Sequence, residues 1–189
     1  MNIDFKLTEK AFADLGIDGF AAMSSQHQSN PLFELLETGK LSAAELCIAF
    51  RKATGSELTD EQIKTAFNAL LLDFPPERLE WLDRIRQKYN VYLFSNTNSI
   101  HYEAFMEIFA KTAKQPDLNK YFIKAWYSHE LGLRKPYVES FQKILEEGGL
   151  NPAETLFIDD TAQNIEGAQK AGLQTILLTP PLTVVDLEF

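Results

Sequence analysis

At Pro75-Pro76 the chain changes its hydrophobic period. From about residue 5 to residue 73 every periodic segment reads as helix, and no strand pattern intervenes. Ile63, Phe67, Leu70 and Leu71 recur at i, i+4, i+7 and i+8, the stripe of a helix with one buried face. Thr59, with Gln62 three residues on, supplies a capping start. Leu46 and Phe50 form a similar pair on the preceding helix, which follows a Ser42 cap and stops near Gly55. Pro31 to Leu36 opens another helix, ended by Gly39. Residues 1–74 are therefore predicted to be a helical bundle.

Beyond the prolines, helix and strand alternate. Glu77 to Lys88 reads as helix, with Leu79, Leu82 and Ile85 on one side. Val91 to Phe94 is a short apolar run of the kind found in strands buried on both faces. A helix from about Tyr102 to Ala113 follows, then a strand over Phe122–Trp126 and a helix over Val138–Glu147, ended by Gly148-Gly149. Thr155–Ile158 is a strand, Ala162–Ala171 a helix stopped by Gly172, and Thr175–Leu178 a last strand. Strands separated by helices imply right-handed crossovers and a parallel sheet. The expected fold is α/β, a doubly wound parallel sheet over residues 75–189 with a helical cap over residues 1–74.

Composition narrows the function classes. The 189 residues are 45% hydrophobic and 24% charged, enough to bury a substantial core. No apolar stretch has bilayer length, and Met1-Asn2-Ile3-Asp4-Phe5-Lys6 lacks the pattern of a secretory signal. One cysteine, Cys47, excludes an internal disulfide and fits a reducing cytoplasm. A formal net charge of −9 argues against polyphosphate tracts and nucleic acid as partners, and the lack of an apolar span argues against a membrane. A small anion remains compatible, because a metal and a lysine can reverse the field within a pocket.

Ligands of open parallel sheets bind beyond the carboxyl ends of the strands. Three polar groups fall there: Ser95-Asn96-Thr97-Asn98, Leu131-Gly132-Leu133-Arg134-Lys135-Pro136, and Asp159-Asp160. Singly, each has a bland explanation as turn, solvated loop or helix cap. Together they make a phosphate site. Ser95 and the amides after it can donate to phosphate oxygens at a helix N-terminus. Lys135 supplies a point charge, and Asp159 and Asp160 offer the hard oxygens that Mg2+ prefers. His27, His101 and His129 lack metal-ligand spacing and read as surface or loop residues.

Phe94-Ser95-Asn96-Thr97, the Leu131–Pro136 run and Phe157-Ile158-Asp159-Asp160-Thr161-Ala162-Gln163-Asn164-Ile165-Glu166-Gly167-Ala168 resemble the second, third and fourth motifs of the haloacid dehalogenase superfamily. The likeness covers essentially the whole chain, with the helical half matching the inserted cap of small sugar-phosphate phosphatases. It implies a phosphomonoester hydrolase that uses Mg2+ and an aspartyl-phosphate intermediate on a small phosphorylated metabolite. By that resemblance Ser95 binds phosphate with Asn96 beside it. Lys135 steadies nucleophile and phosphate, Asp160 ligates magnesium, and Asp159 does so directly or through water. Some members carry a further carboxylate where this chain has Asn164.

One part is missing from the pattern. Family members begin with a strand ending in Asp-x-Asp or Asp-x-Gly-Gly, whose first aspartate attacks phosphorus. Met1 to Phe5 resembles the segment just beyond that motif, and Asp4, the early carboxylate, has no apolar strand before it. The expectation is a central first strand absent from the sheet, and roughly 15–20 residues encoded upstream of Met1 to supply it. On that expectation the chain as written is inactive or nearly so. The competing expectation is a phosphate-binding regulatory protein without turnover. A receiver domain fits less well, because its acidic pair comes early and its lysine last. No G-x-G-x-x-G follows a strand, which argues against a dinucleotide enzyme.

Overall fold

The computed structural model describes residues 1–18, 20, 31–113 and 116–188; His27 lies outside them. The helical half holds α1 (Phe5–Asp14), α2 (Pro31–Glu37), α3 (Ala43–Thr54) and α4 (Asp60–Asn68). Local chemistry sets their ends. Ser42 and Glu45 close a capping box on α3, and Gly55 ends it in the left-handed region that glycine enters without a Cβ penalty. Thr59 and Gln62 do the same at the start of α4. Phe12, Leu36, Cys47 and Ile63, all essentially inaccessible, join Phe33, Phe50 and Phe67 in one apolar cluster. Each such ring or branched side chain contributes about 1.5–3 kcal/mol by burial. Cys47 is a packing residue here. Ile100, from beyond the prolines, also enters this cluster and ties the two halves together.

Pro75-Pro76 opens α5 (Pro76–Ile85), with Pro76 at a position where a missing N–H costs nothing. The remainder runs β1 (Tyr92–Ser95), α6 (Ser99–Ala113), β2 (Lys124–Tyr127), α7 (Ser128–Leu131), α8 (Val138–Gly148), β3 (Leu156–Asp159), α9 (Ala162–Lys170) and β4 (Gln174–Leu177). The strands are parallel, as the alternation requires. Phe94 stands opposite Trp126 and Ser95 opposite Tyr127; Ile158 stands opposite Ile176 and Asp159 opposite Leu177.

They do not form one sheet. β1 pairs with β2 and β3 with β4, in two separate two-stranded ladders. Each ladder is a strand, crossover helix and strand closed on itself, and among the described residues no strand joins β1 to β3. Side chains span that interval on one side: Phe141 of α8 meets the rings of Phe94 and Phe157 edge-on, at 5.6 and 5.1 Å. On the other, a cavity of about 670 Å³ runs from Leu93 and Ser95 past Leu79 and Leu82 to Asp160 and Leu178. The segment before α1 lies beside α4: the N–H of Asp4 donates to the carbonyl of Leu70 at 2.9 Å, and Ile3 bridges Leu71. No described helix is long and apolar enough to cross a membrane.

Candidate active site

Ser95 is the last residue of β1, and α6 begins at Ser99. The short loop between them is fixed from outside. The Thr97 N–H donates to Ser128 Oγ at 2.9 Å, and that hydroxyl donates back to the Thr97 carbonyl at 2.9 Å. Ser128 is wholly buried, so both loop groups are satisfied where water cannot reach. The Asn98 side chain accepts from the His101 N–H at 3.0 Å and caps α6. Among the described residues, Ser95 Oγ makes a single contact, of 3.5 Å, to the Asn96 carbonyl. Its hydroxyl is held in place yet free to turn toward a ligand.

Asn96, expected beside the phosphate, also joins two loops. Its Nδ2 donates to the Lys135 carbonyl at 2.9 Å, and its Oδ1 accepts from the Lys135 N–H at 2.9 Å. This reciprocal pair splints the serine loop to the lysine loop and leaves one N–H of the carboxamide without a partner in it. Lys135, 8% exposed, sends Nζ to Asp159 Oδ2 at 2.7 Å. The same ammonium lies 5.5 Å from the ring centres of both Phe94 and Phe157, a cation–π setting that steadies a charge with little water around it. The packing permits this because residue 167 is glycine: a Cβ there would stand 2.1 Å from the Pro136 carbonyl oxygen.

Asp159 Oδ1 accepts from the Thr161 N–H and from Asn164 Nδ2, each at 2.9 Å. Burial pushes this carboxyl up, but Lys135, Asn164 and Thr161 outweigh it and hold the group below its ordinary range. Asn164 therefore has a reason to depart from the acidic pattern, because a carboxylate could not donate to Asp159. Both Asp159 oxygens thus already accept hydrogen bonds. Asp160 is exposed and lines the larger cavity together with Ser95. Among the described residues no cluster of three or more His, Cys, Asp or Glu side chains could hold a metal. Asp160 beside a phosphate site fits magnesium, which takes one or two carboxylates and completes its shell with water and substrate phosphate.

A second cavity, about 330 Å³, opens between the halves. The serine loop lines it from one side; Phe33, Glu37 and Phe67 line it from the other. Ser95 borders both cavities. Glu37 Oε2 lies 2.9 Å from Arg134 Nε, next to Lys135 in sequence. The contact is Coulombic, since the guanidinium N–H is not aligned on the oxygen and both atoms are buried without a hydrogen bond. Burial pushes the Glu37 carboxyl above its ordinary value, against the pull of Arg134. His101, expected in a surface or loop role, stacks on Phe67 with ring centres 4.8 Å apart and meets Asn68 Oδ1 at 2.9 Å through Nδ1. Asp4 lines neither cavity; it caps α1, accepting from the Lys6 N–H at 3.0 Å. Glu37 and Ser128 carried no sequence signal, because each serves a fold contact that spacing does not encode.

A family model for haloacid dehalogenase-like hydrolases matches residues 49–172, which take in the serine loop, Lys135 and the acidic pair. The chain belongs to that family. Among its relatives is the D-ribitol-5-phosphate phosphatase of Bacteroides thetaiotaomicron, 34% identical over 177 residues, which are 93% of this chain and 84% of that protein. The fold of this haloacid dehalogenase-like hydrolase is shared with a family enzyme of B. thetaiotaomicron crystallised, as an alanine mutant, with magnesium and inorganic phosphate. That match has a TM-score of 0.90 at 32% identity, and it covers 97% of this chain and 90% of the other. A HAD-like hydrolase of Porphyromonas gingivalis matches at a TM-score of 0.82 and 28% identity, over 94% and 84% of the two chains.

Proposed function

We propose that this hydrolase acts on the phosphate monoester of a small sugar or polyol with magnesium as its cation. Ser95 and Lys135 belong to the phosphate site, Asp160 to the cation site, and the helical half to the substrate's carbon chain. The observation that carries this reading is Ser95. It borders the cavity that holds Asp160 and also the cavity that holds the residues of the helical half, so one phosphoryl group at Ser95 would reach both. Support also comes from the ribitol-phosphate phosphatase relative and from the magnesium and phosphate bound in the similar crystal structure.

Each group has a physical task. Ser95 Oγ and the loop amides donate to phosphate oxygens. Lys135 holds Asp159 at 2.7 Å and adds positive charge behind the loop. Asp159 orients Lys135, and Asn164 fixes Asp159 in turn. Magnesium, when bound, neutralises charge on the transferring phosphoryl group. Phe33 and Phe67 exclude water from the ester side.

The covalent route of the family needs a carboxylate in line with phosphorus. Among the described residues, the carboxylates lining the two cavities are Glu37 and Asp160. The first belongs to the helical half and the second is assigned to the cation. This favours a second reading, a chain that binds phosphate without turning it over. Phosphate release from sugar and polyol phosphates, with magnesium and with a chelator, separates the two. Magnesium-dependent phosphate release that the chelator abolishes is the result expected of the hydrolase, and binding of the ester without release would favour the second reading. Magnesium-dependent turnover at an ordinary enzymic rate, about 1 per second or more, would mean that the attacking group lies elsewhere in this chain.

A further inference from the structure

Among the carboxylates of the helical half, Glu37 meets the phosphate side of the molecule through a cavity. It ends α2 and faces Ser95, Asn96 and Thr97 across about 330 Å³. Its approach is fixed by packing rather than by its own side chain. The next turn is Thr38-Gly39, where the Thr38 hydroxyl donates to the Glu34 carbonyl at 2.7 Å. Gly39 (φ +67°) passes so close to the second half that a Cβ would stand 2.1 Å from the His129 carbonyl oxygen. Arg134 draws one carboxylate oxygen to 2.9 Å. Neither oxygen of Glu37 has a hydrogen bond among the described residues, and Oε2 is buried without one. Oε2 is thus closed off against Arg134, whereas Oε1 is not among the buried atoms and can accept from a ligand donor in the adjoining cavity.

We infer that Glu37 is a specificity-determining residue: it accepts hydrogen bonds from hydroxyl groups of the substrate's carbon chain and so selects polyhydroxylated phosphate esters. The inference rests on the phosphatase reading above and deepens it. Arg134 is its positioning partner. It neutralises the carboxylate so that an anionic substrate can approach, and holds it at a set distance from the lysine loop. Phe33 and Phe67 supply the apolar wall against which a carbon chain lies. A carboxylate is a fitting reader of a polyol, because it accepts from two oxygens and each hydroxyl donates once.

The test is equilibrium binding by the full chain, in magnesium, of D-ribitol 5-phosphate and of ethyl phosphate, an ester without hydroxyls. The variants are Glu37→Met, which keeps the length of the side chain, and Glu37→Gln, which keeps one acceptor oxygen. Wild type is expected to favour the ribitol ester. In Glu37→Met that ester should lose about 10- to 100-fold in affinity while ethyl phosphate changes less than about 3-fold. Glu37→Gln should recover a substantial part of the loss. Ethyl phosphate doubles as the control for folding. Equal losses for both esters, equal losses in Met and Gln, or no loss in either would overturn the inference: Glu37 would then be only an ion-pair partner of Arg134, or no contributor. If wild type bound neither ester, the phosphatase reading would fall first and take this inference with it.

Discussion

Lys135 and Asp159 are 10% and 9% exposed at the side chain, so neither can lose its partner cheaply. Removing one member of a buried pair leaves a charge without compensation, at a cost of about 3–5 kcal/mol. Lys135→Met is expected to destabilise the fold by that order, and adding Asp159→Asn should return part of it; denaturant midpoints on the single and double variants measure both. The pair also sets an acid limit. The Asp159 carboxyl titrates below its unfolded value of about 3.9, so its contribution is fully present above that pH. It fades as pH falls through the native value. The stability gap between wild type and Asp159→Asn should therefore be constant above about pH 5 and close below about pH 4. At this scale the sequence named Ser95, Lys135, Asp159 and Asp160 because strand ends place them. The Asn96–Lys135 and Ser128–Thr97 hydrogen bonds were not legible, since their partners lie 39 and 31 positions apart.

Gly39 and Gly167 decide how elements meet. Gly167 is inside α9, where alanine is favoured by about 1 kcal/mol on propensity alone. Yet its added Cβ would meet the Pro136 carbonyl oxygen at 2.1 Å and Phe141 at 2.9 Å. Backbone overlap of that size outweighs propensity, so Gly167→Ala is expected to lower the melting temperature and push the lysine loop away from β1. A parallel loss of phosphate affinity would report the second effect. A melting temperature raised by the alanine would show that α9 and the lysine loop are less tightly apposed. Element positions were largely legible. The capping boxes at Ser42 and Thr59 began helices where expected, and the glycine-ended helix at Val138 was met to within a residue. The strands after Val91 and Phe122 came one or two residues late. Their ends are set by the β1–β2 register, a pairing that local pattern does not contain. The one-turn α7 escaped notice because it carries no periodic stripe, yet its first residue supplies the hydroxyl that locks the serine loop.

For the whole molecule, the expected α/β fold with parallel strands is met, its strands falling in two ladders bridged by Phe141 and Lys135. Hydrophobic period identifies strands but not which edges meet. The acidic surface, with net charge −9, repels a phosphate ester at long range, so binding must come from the local cluster and from the cation. The most direct test is calorimetric titration of inorganic phosphate, with and without magnesium, into wild type, Ser95→Ala and Asp160→Asn. If Ser95 and Asp160 belong to one phosphate-and-cation site, wild type binds phosphate more tightly with magnesium, Asp160→Asn loses that dependence, and Ser95→Ala loses affinity under both conditions. Three indistinguishable titrations would contradict a shared site.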